Sequence, residues 1–288
     1  MRMTESDRHA AAELPDWSED LPLLAARGYT LGKALCRCEA HYHALWGIRR
    51  AAGLFDGRGS EEEVLRRIVA SAAEEGTRVL IAGAADTGTL GMAGRAAGGR
   101  LPRITVLDRC AAPLELIRQF CAERAIPCAT LHVDLLELAE EKKWDVALLH
   151  YTLSFISPKR RREALRRLAR SLTPGGTLIC AARIGAPAGA GLDDAAWVER
   201  ARRAVRVAGL KLPLDEAELE ELLKEGAAAR RNRWRTNHGL ADLKADIAGA
   251  GLRLTGEWET ARKWMPSDAT GGKAEAARSV VLTAKVAD

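Results

Sequence analysis

The sequence predicts an α/β protein built on a mostly parallel sheet covered by helices. Three observations carry that expectation. From Ser60 onward, short apolar runs alternate with amphipathic stretches, the pattern of strands joined by crossover helices. The first of these runs feeds a glycine-bearing turn and then a helix, with an acid at the end of the second run. The chain's 288 residues, 47% of them hydrophobic, suffice to bury a full core.

The elements can be justified in order. Ser60-x-x-Glu63 forms a capping box opening a helix that carries Val64, Leu65, Ile68 and Val69 on one side, ended by Gly76. Strand one is expected at 78–82, running into the turn 83–88, with a helix at 90–97. Strand two spans 103–107 and is closed by Asp108. The next helix tolerates Pro113 in its first turn and buries Leu114, Leu116, Ile117 and Phe120. Strand three, 128–133, is closed by Asp134; strand four is 144–150. A helix follows Pro158 and ends at Leu172, after which Thr173-Pro-Gly-Gly176 forces a tight turn into strand five at 177–182.

Residues 185–238 break this rhythm with a Gly/Ala/Pro loop and strandless helical sequence, which reads as an insertion over the sheet. A helix at 239–249, strand six at 252–259, a long hairpin loop at 260–277 and strand seven at 278–286 complete the domain, 59–288. Ahead of it, 1–58 is expected to form a helical cap after a frayed start, with helical pattern at 23–26 and 31–52 and a group of aromatic and histidine residues, Tyr29, His41, Tyr42, His43 and Trp46.

Charge and cysteine usage narrow the function classes. A net charge of +5 raises nucleic acid as a partner, but the arginines at 160–162 and 166–167 alternate with Leu165, Leu168 and Leu172 as the solvated face of a helix would. The run Arg230-Arg-Asn-Arg-Trp-Arg235 is the one basic stretch that keeps an acidic acceptor or RNA open. No apolar run approaches the roughly 20 residues that cross a bilayer, and the first residues lack a signal-peptide core, so a cytoplasmic protein without a membrane partner is expected. The six cysteines show no CxxC spacing, and Cys36-x-Cys38 on a continuous helix would point to different faces, so reduced core thiols and no metal are expected.

The chemistry concentrates at the strand ends. A strand–turn–helix unit at Gly83–Gly88 presents backbone N–H groups and a positive helix end to a polar cofactor group, and Asp108 is placed to accept from both hydroxyls of a ribose. These features suit NAD and S-adenosylmethionine (SAM) alike. The order VLIAGAADTG, ITVLD, HVDLLE, WDVALLH and LTPGGTLI between Arg78 and Arg183 resembles the class I SAM-dependent methyltransferase family. The resemblance implies a doubly wound, mostly parallel seven-stranded sheet whose last strand is antiparallel and inserted between strands five and six. It also implies that Gly83, Ala84 and Ala85 line the methionine moiety, Asp108 binds the ribose, Arg109 flanks the adenine, Asp134 accepts from the adenine amino group beside the Leu135 amide, and His150 faces the sulfonium side with Tyr151 next to it.

Two departures from the family pattern stand in the first motif: Ile81 where an acid is usual, and Ala85 where a second glycine is usual. Either Asp86 contacts the cofactor's ammonium group or the cap supplies that contact. The expected reaction is methyl transfer from SAM, leaving S-adenosylhomocysteine, to a small-molecule O, N or S nucleophile enclosed by the cap and the insertion. His150, Tyr151, His41 and His43 are candidate bases. HYTL after strand four lacks the NPPY tetrapeptide of nucleic-acid and protein methylation. A SAM-binding protein of the same fold without methyl transfer stays open, as does a homodimer.

Overall fold

The computed structural model describes residues 16–54, 60–98, 100, 102–184, 194–233, 239–261 and 278–286. Seven strands, β1 (Arg78–Ala82), β2 (Arg103–Asp108), β3 (Cys128–His132), β4 (Trp144–His150), β5 (Leu172–Ile184), β6 (Leu252–Ala261) and β7 (Arg278–Val286), form one sheet in the order β3-β2-β1-β4-β5-β7-β6. The first five pair in parallel and β7 runs antiparallel between β5 and β6, as the resemblance implies.

Period-two burial explains why the strands read so clearly. Leu80, Ala82, Ala147 and Leu149 point to one face, where they pack with α6 (Pro158–Ser171) and α9 (Leu240–Gly249) through Leu165, Leu168, Leu243 and Ile247. Val79, Ile81, Val146 and Leu148 point to the other, against α3 (Ser60–Ala72), α4 (Gly88–Ala96) and α5 (Ala111–Glu123) through Leu65, Leu90 and Phe120. Central parallel strands buried on both faces give continuous apolar runs. Ile81, which stands where an acid is usual, is fully buried and belongs to this second core.

At the amino ends of β1 and β4, Arg78 donates to both carboxylate oxygens of Asp145, at 3.0 and 2.8 Å. Hydrogen bonding from Arg78, against a smaller opposing effect of burial, lowers the Asp145 pKa to about 2. The turn expected at Thr173–Gly176 is an excursion within β5: Trp144 pairs with Leu172 and Val146 already pairs with Thr177, with Gly175 at φ +73° inside the bulge.

The cap departs from the expected pattern. Helical sequence at 31–52 is not continuous, because α1 (Leu21–Leu35) stops at Cys36 and α2 (Tyr42–Ala51) begins only after two residues in the left-handed region, Ala40 and His41. Cys36 and Cys38 therefore do not share a helix, which removes the argument that their thiols must diverge. The two helices approach so closely that a Cβ on Gly32 would lie 2.4 Å from the Ala44 nitrogen.

Within the insertion, α7 (Asp194–Val207) and α8 (Glu216–Arg233) bury Trp197, Ala201, Leu222 and Leu223 against Ala25, Tyr29, Leu45 and Ile48 of the cap. Cap and insertion thus share one hydrophobic core. α8 includes the first residues of the 230–235 basic run, but the side chains of that run lie outside the described residues, as do the loop 185–193, most of the hairpin loop (262–277) and the side chain of Ser60 in the expected capping box. Among the described residues no helix is long and apolar enough to cross a membrane.

Candidate active site

The strand order reverses between β1 and β4, and the crevice beyond the carboxyl ends at such a switch point is where open α/β sheets bind ligands. Gly83 opens the turn after β1. Its N–H donates to the Leu107 carbonyl at 2.7 Å, its φ is +87°, and a Cβ there would lie 2.5 Å from the Thr152 side chain, which itself donates to the Ala82 carbonyl at 2.7 Å. Only glycine meets both demands. Ala84 is buried, and Ala85 is half-buried beside it.

Asp108 closes β2 next to this turn. One carboxylate oxygen accepts from the Ala84 amide at 2.9 Å and the other from the Cys110 amide at 2.7 Å. Burial pushes its pKa above the ordinary aspartate value, against the opposing effect of those amides and of His43. The acid thereby ties the glycine turn to the start of α5. Arg109 is exposed, and its carbonyl lies 3.1 Å from His132 Nε2. In parallel register Asp108 pairs with His132, and two residues further on Asp134 accepts from the Leu136 amide at 2.9 Å, capping a short 3-10 turn that begins at buried Leu135. The ribose and adenine candidates thus stand at the ends of adjacent strands.

Asp86 is committed inside the protein. Its carboxylate accepts from Arg50 of α2 at 2.9 Å and from the Gly88 amide at 2.8 Å. The same guanidinium donates to both oxygens of Glu19, at 2.9 and 2.6 Å, and Glu19 also accepts from the Thr87 hydroxyl at 2.5 Å. Burial opposes the charge on Glu19, yet its hydrogen bond and attraction to Arg50 hold its pKa below the usual carboxylate value. The cap therefore reaches the turn through an acid and an arginine that sequence reasoning passed over: Glu19 lay ahead of the expected cap helices, and Arg50 lay near the end of the helical pattern at 31–52 with nothing local to single it out.

At the end of β4, His150 faces two partners. Its Nε2 lies 3.2 Å from Glu61 and its Nδ1 3.3 Å from the Thr89 hydroxyl. Tyr151, in the left-handed region at φ 60°, donates its hydroxyl hydrogen to Glu61 and lies 2.9 Å from Ser279 Oγ. The two rings sit 4.8 Å apart, and the Arg183 guanidinium lies 5.2 Å from the tyrosine ring centre. The structure so brings together both candidate bases at the strand end and adds Glu61, Thr89, Ser279 and Arg183. Glu61 read only as a first-turn helix acid, and nothing local in sequence joins it to His150. Phe155, from the same loop, contacts Tyr42 of the cap at 5.3 Å between ring centres, and Tyr42 contacts Trp46 at the same separation. Of the other candidate bases, His41 is the left-handed residue before α2, and His43 is buried with Nδ1 3.2 Å from Cys36 Sγ. A separate groove of about 630 Å³, bordered by Thr77, Asp145, Thr177 and Lys285, lies at the opposite, amino ends of the strands.

A mostly parallel sheet with an inserted antiparallel β7, carrying polar groups at its switch point, defines a nucleoside-binding Rossmann-like class. Residues 81–176 match a family model described as a methyltransferase domain. Over 88 residues the chain is 33% identical to the carboxy-S-adenosyl-L-methionine synthase of Pseudomonas putida (strain GB-1), a match covering 28% of this chain and 35% of that protein, so only about a third of the relative's length is spanned. Among solved structures, the cyclase SpnF superposes with a TM-score of 0.55 at 18% identity, over 83% of this chain and 91% of its own. An N1-methyltransferase from Burkholderia thailandensis, solved with 1,6-didemethyltoxoflavin and S-adenosylhomocysteine, gives 0.51 at 13% identity, over 94% and 92%. Residues 81–176 thus carry a methyltransferase domain, on a sheet whose order and inserted antiparallel β7 are those that the resemblance to class I SAM-dependent methyltransferases implies.

Proposed function

We propose that the protein binds SAM across the carboxyl ends of β1, β2 and β4 and directs its methyl group to a small-molecule nucleophile. The observation that carries this reading is the polar cluster His150, Glu61 and Tyr151 at the end of β4, beside the strand that feeds the Gly83 turn and two strands from Asp108. The residues present fit the nucleoside: a main-chain turn that excludes a Cβ at Gly83, and a carboxylate at the end of each of the next two strands. Asp108 would hold the ribose hydroxyls, Asp134 and the Leu135 amide the adenine edge, Arg109 would flank the ring, and Gly83, Ala84 and Ala85 would line the methionine chain. Asp86 and Glu19 are both held by Arg50, so neither carboxylate is assigned the ammonium contact. When bound, SAM supplies an activated methyl group, so the protein's task is alignment and exclusion of water.

The base is His150. A neutral imidazole that donates from Nε2 to the Glu61 carboxylate keeps its lone pair on Nδ1, on the Thr89 side. An acceptor O–H or N–H placed there loses its proton to Nδ1 as the methyl bond forms, and Glu61 stabilises the resulting imidazolium. Tyr151 fixes Glu61. The aromatic group Phe155, Tyr42 and Trp46 joins the strand-end loop to the cap, which supports a closed site for a small, flat acceptor rather than a polymer groove. The B. thailandensis N1-methyltransferase, solved with 1,6-didemethyltoxoflavin bound, is an instance of a small-molecule acceptor on this fold. Cytoplasmic residence and a homodimer belong to the same proposal, the former supported by six free thiols.

Calorimetry with SAM, S-adenosylhomocysteine and NAD side by side tests the cofactor, and mass spectrometry of co-purified ligand searches for the acceptor. Binding of NAD in preference to SAM would refute the reading. A second reading, SAM binding without methyl transfer, draws on the commitment of Asp86 to Arg50; it wins if SAM binds tightly but no methylated product forms across O, N and S acceptors.

A further inference from the structure

Four side chains that the proposed reaction does not use meet beside the ribose acid. Cys36 ends α1, Cys38 lies two residues beyond it, His43 sits in the first turn of α2, and Cys110 precedes α5. Their ligand atoms, three thiols and one imidazole nitrogen, all lie within 4.8 Å of one another. A tetrahedral zinc site with Zn–S near 2.3 Å requires ligand atoms about 3.7 Å apart. The cluster is already at that scale. Cys36, Cys110 and His43 are buried, and Cys38 is half-buried.

The local backbone serves this convergence. The chain turns from Cys38 to His43 through Ala40 and His41, both at positive φ and neither a glycine. A non-glycine pair held in that region costs free energy that the surroundings must offset, and strain of this kind gathers at ligand clamps. The close crossing at Gly32 brings α2 against the end of α1.

We propose that Cys36, Cys38, His43 and Cys110 bind one Zn(II) ion, which fastens the N-terminal cap to the turn carrying Asp108. The S₃N donor set selects a soft, tetrahedral metal. Three thiols release their protons to solvent as the Zn–S bonds form, and neutral His43 adds the fourth bond through Nδ1. A disulfide would use two of the thiols and leave the third beside an unpaired buried imidazole; zinc uses all four groups. Because the Cys110 amide donates to Asp108, the metal also braces the acid assigned to the ribose. The proposal does not rest on methyl transfer.

The test uses the full chain, purified under reducing conditions, stripped with a chelator, reloaded with zinc and desalted. One zinc per chain is expected by elemental analysis, and cobalt reloading should produce a thiolate-to-Co(II) charge-transfer band with the d–d bands of a tetrahedral ion. Cys110→Ser and His43→Ala should each lower zinc affinity more than tenfold, His43→Cys should retain it, and Cys180→Ser should not change it. Circular dichroism of each variant separates loss of metal from loss of fold. A wild-type chain that retains no zinc after reloading overturns the proposal, as does unchanged stoichiometry and affinity in Cys110→Ser.

Discussion

Asp108 shows how one side chain can hold a turn together and still present a ligand face. Each of its oxygens accepts one amide and retains a further lone pair, so it can accept two ribose hydroxyls without breaking those bonds. Hydrogen bonds to a charged group contribute about 1.5–3 kcal/mol each. Asp108→Ala should therefore weaken binding of S-adenosylhomocysteine by at least about tenfold, the equivalent of about 1.4 kcal/mol, while circular dichroism stays native; calorimetry showing equal affinity would remove the ribose assignment. Glu61 gives a second residue-scale prediction. Glu61→Gln keeps the shape but leaves no carboxylate to stabilise protonated His150, so kcat with a hydroxyl acceptor should fall by about 10²-fold or more while KM for SAM changes little. An unchanged kcat would exclude His150 as the base.

At the scale of elements, the strands were legible and the cap was not, for a physical reason. β1, β2 and β4 are short, largely buried runs, so their apolar continuity is written locally, and the acid Asp108 follows as the residue where the β2 run ends. The cap's polar contacts are long-range. Arg50 meets Asp86, and Cys36 meets Cys110, across separations that no periodicity registers, and the helix pattern ran straight through the break at Cys36. At the far end of β1 and β4, Arg78 and Asp145 form a pair with a definite pH signature. The Asp145 pKa is lowered from 3.8 to about 2, so its contribution to stability is present above about pH 3.8 and is lost as pH falls through about 2. Acid titration of denaturant midpoints should show wild type converging on Asp145→Asn across that window; parallel curves would show that Asp145 contributes nothing through its charge.

At the scale of the molecule, the cap and the insertion stand or fall together, because α1, α2, α7 and α8 enclose one hydrophobic core separate from the two on either face of the sheet. That shared core positions α2, and α2 carries Arg50 to Asp86 in the turn after β1. Leu223, fully buried in α8, has no place among the residues assigned to the cofactor or to the polar cluster, yet its truncation should reach the site through this chain of packing. Leu223→Ala should cost about 2–5 kcal/mol of stability, as large-to-small core changes do. Leu243→Ala, equally buried but under α9 on the other side of the sheet, should cost a similar amount. The two variants should separate in binding: at a temperature where both remain folded, Leu223→Ala should weaken S-adenosylhomocysteine affinity severalfold through loosened contact between Arg50 and Asp86, whereas Leu243→Ala should leave it near wild type. Equal affinities would mean that the helical layer covers the site without helping to build it.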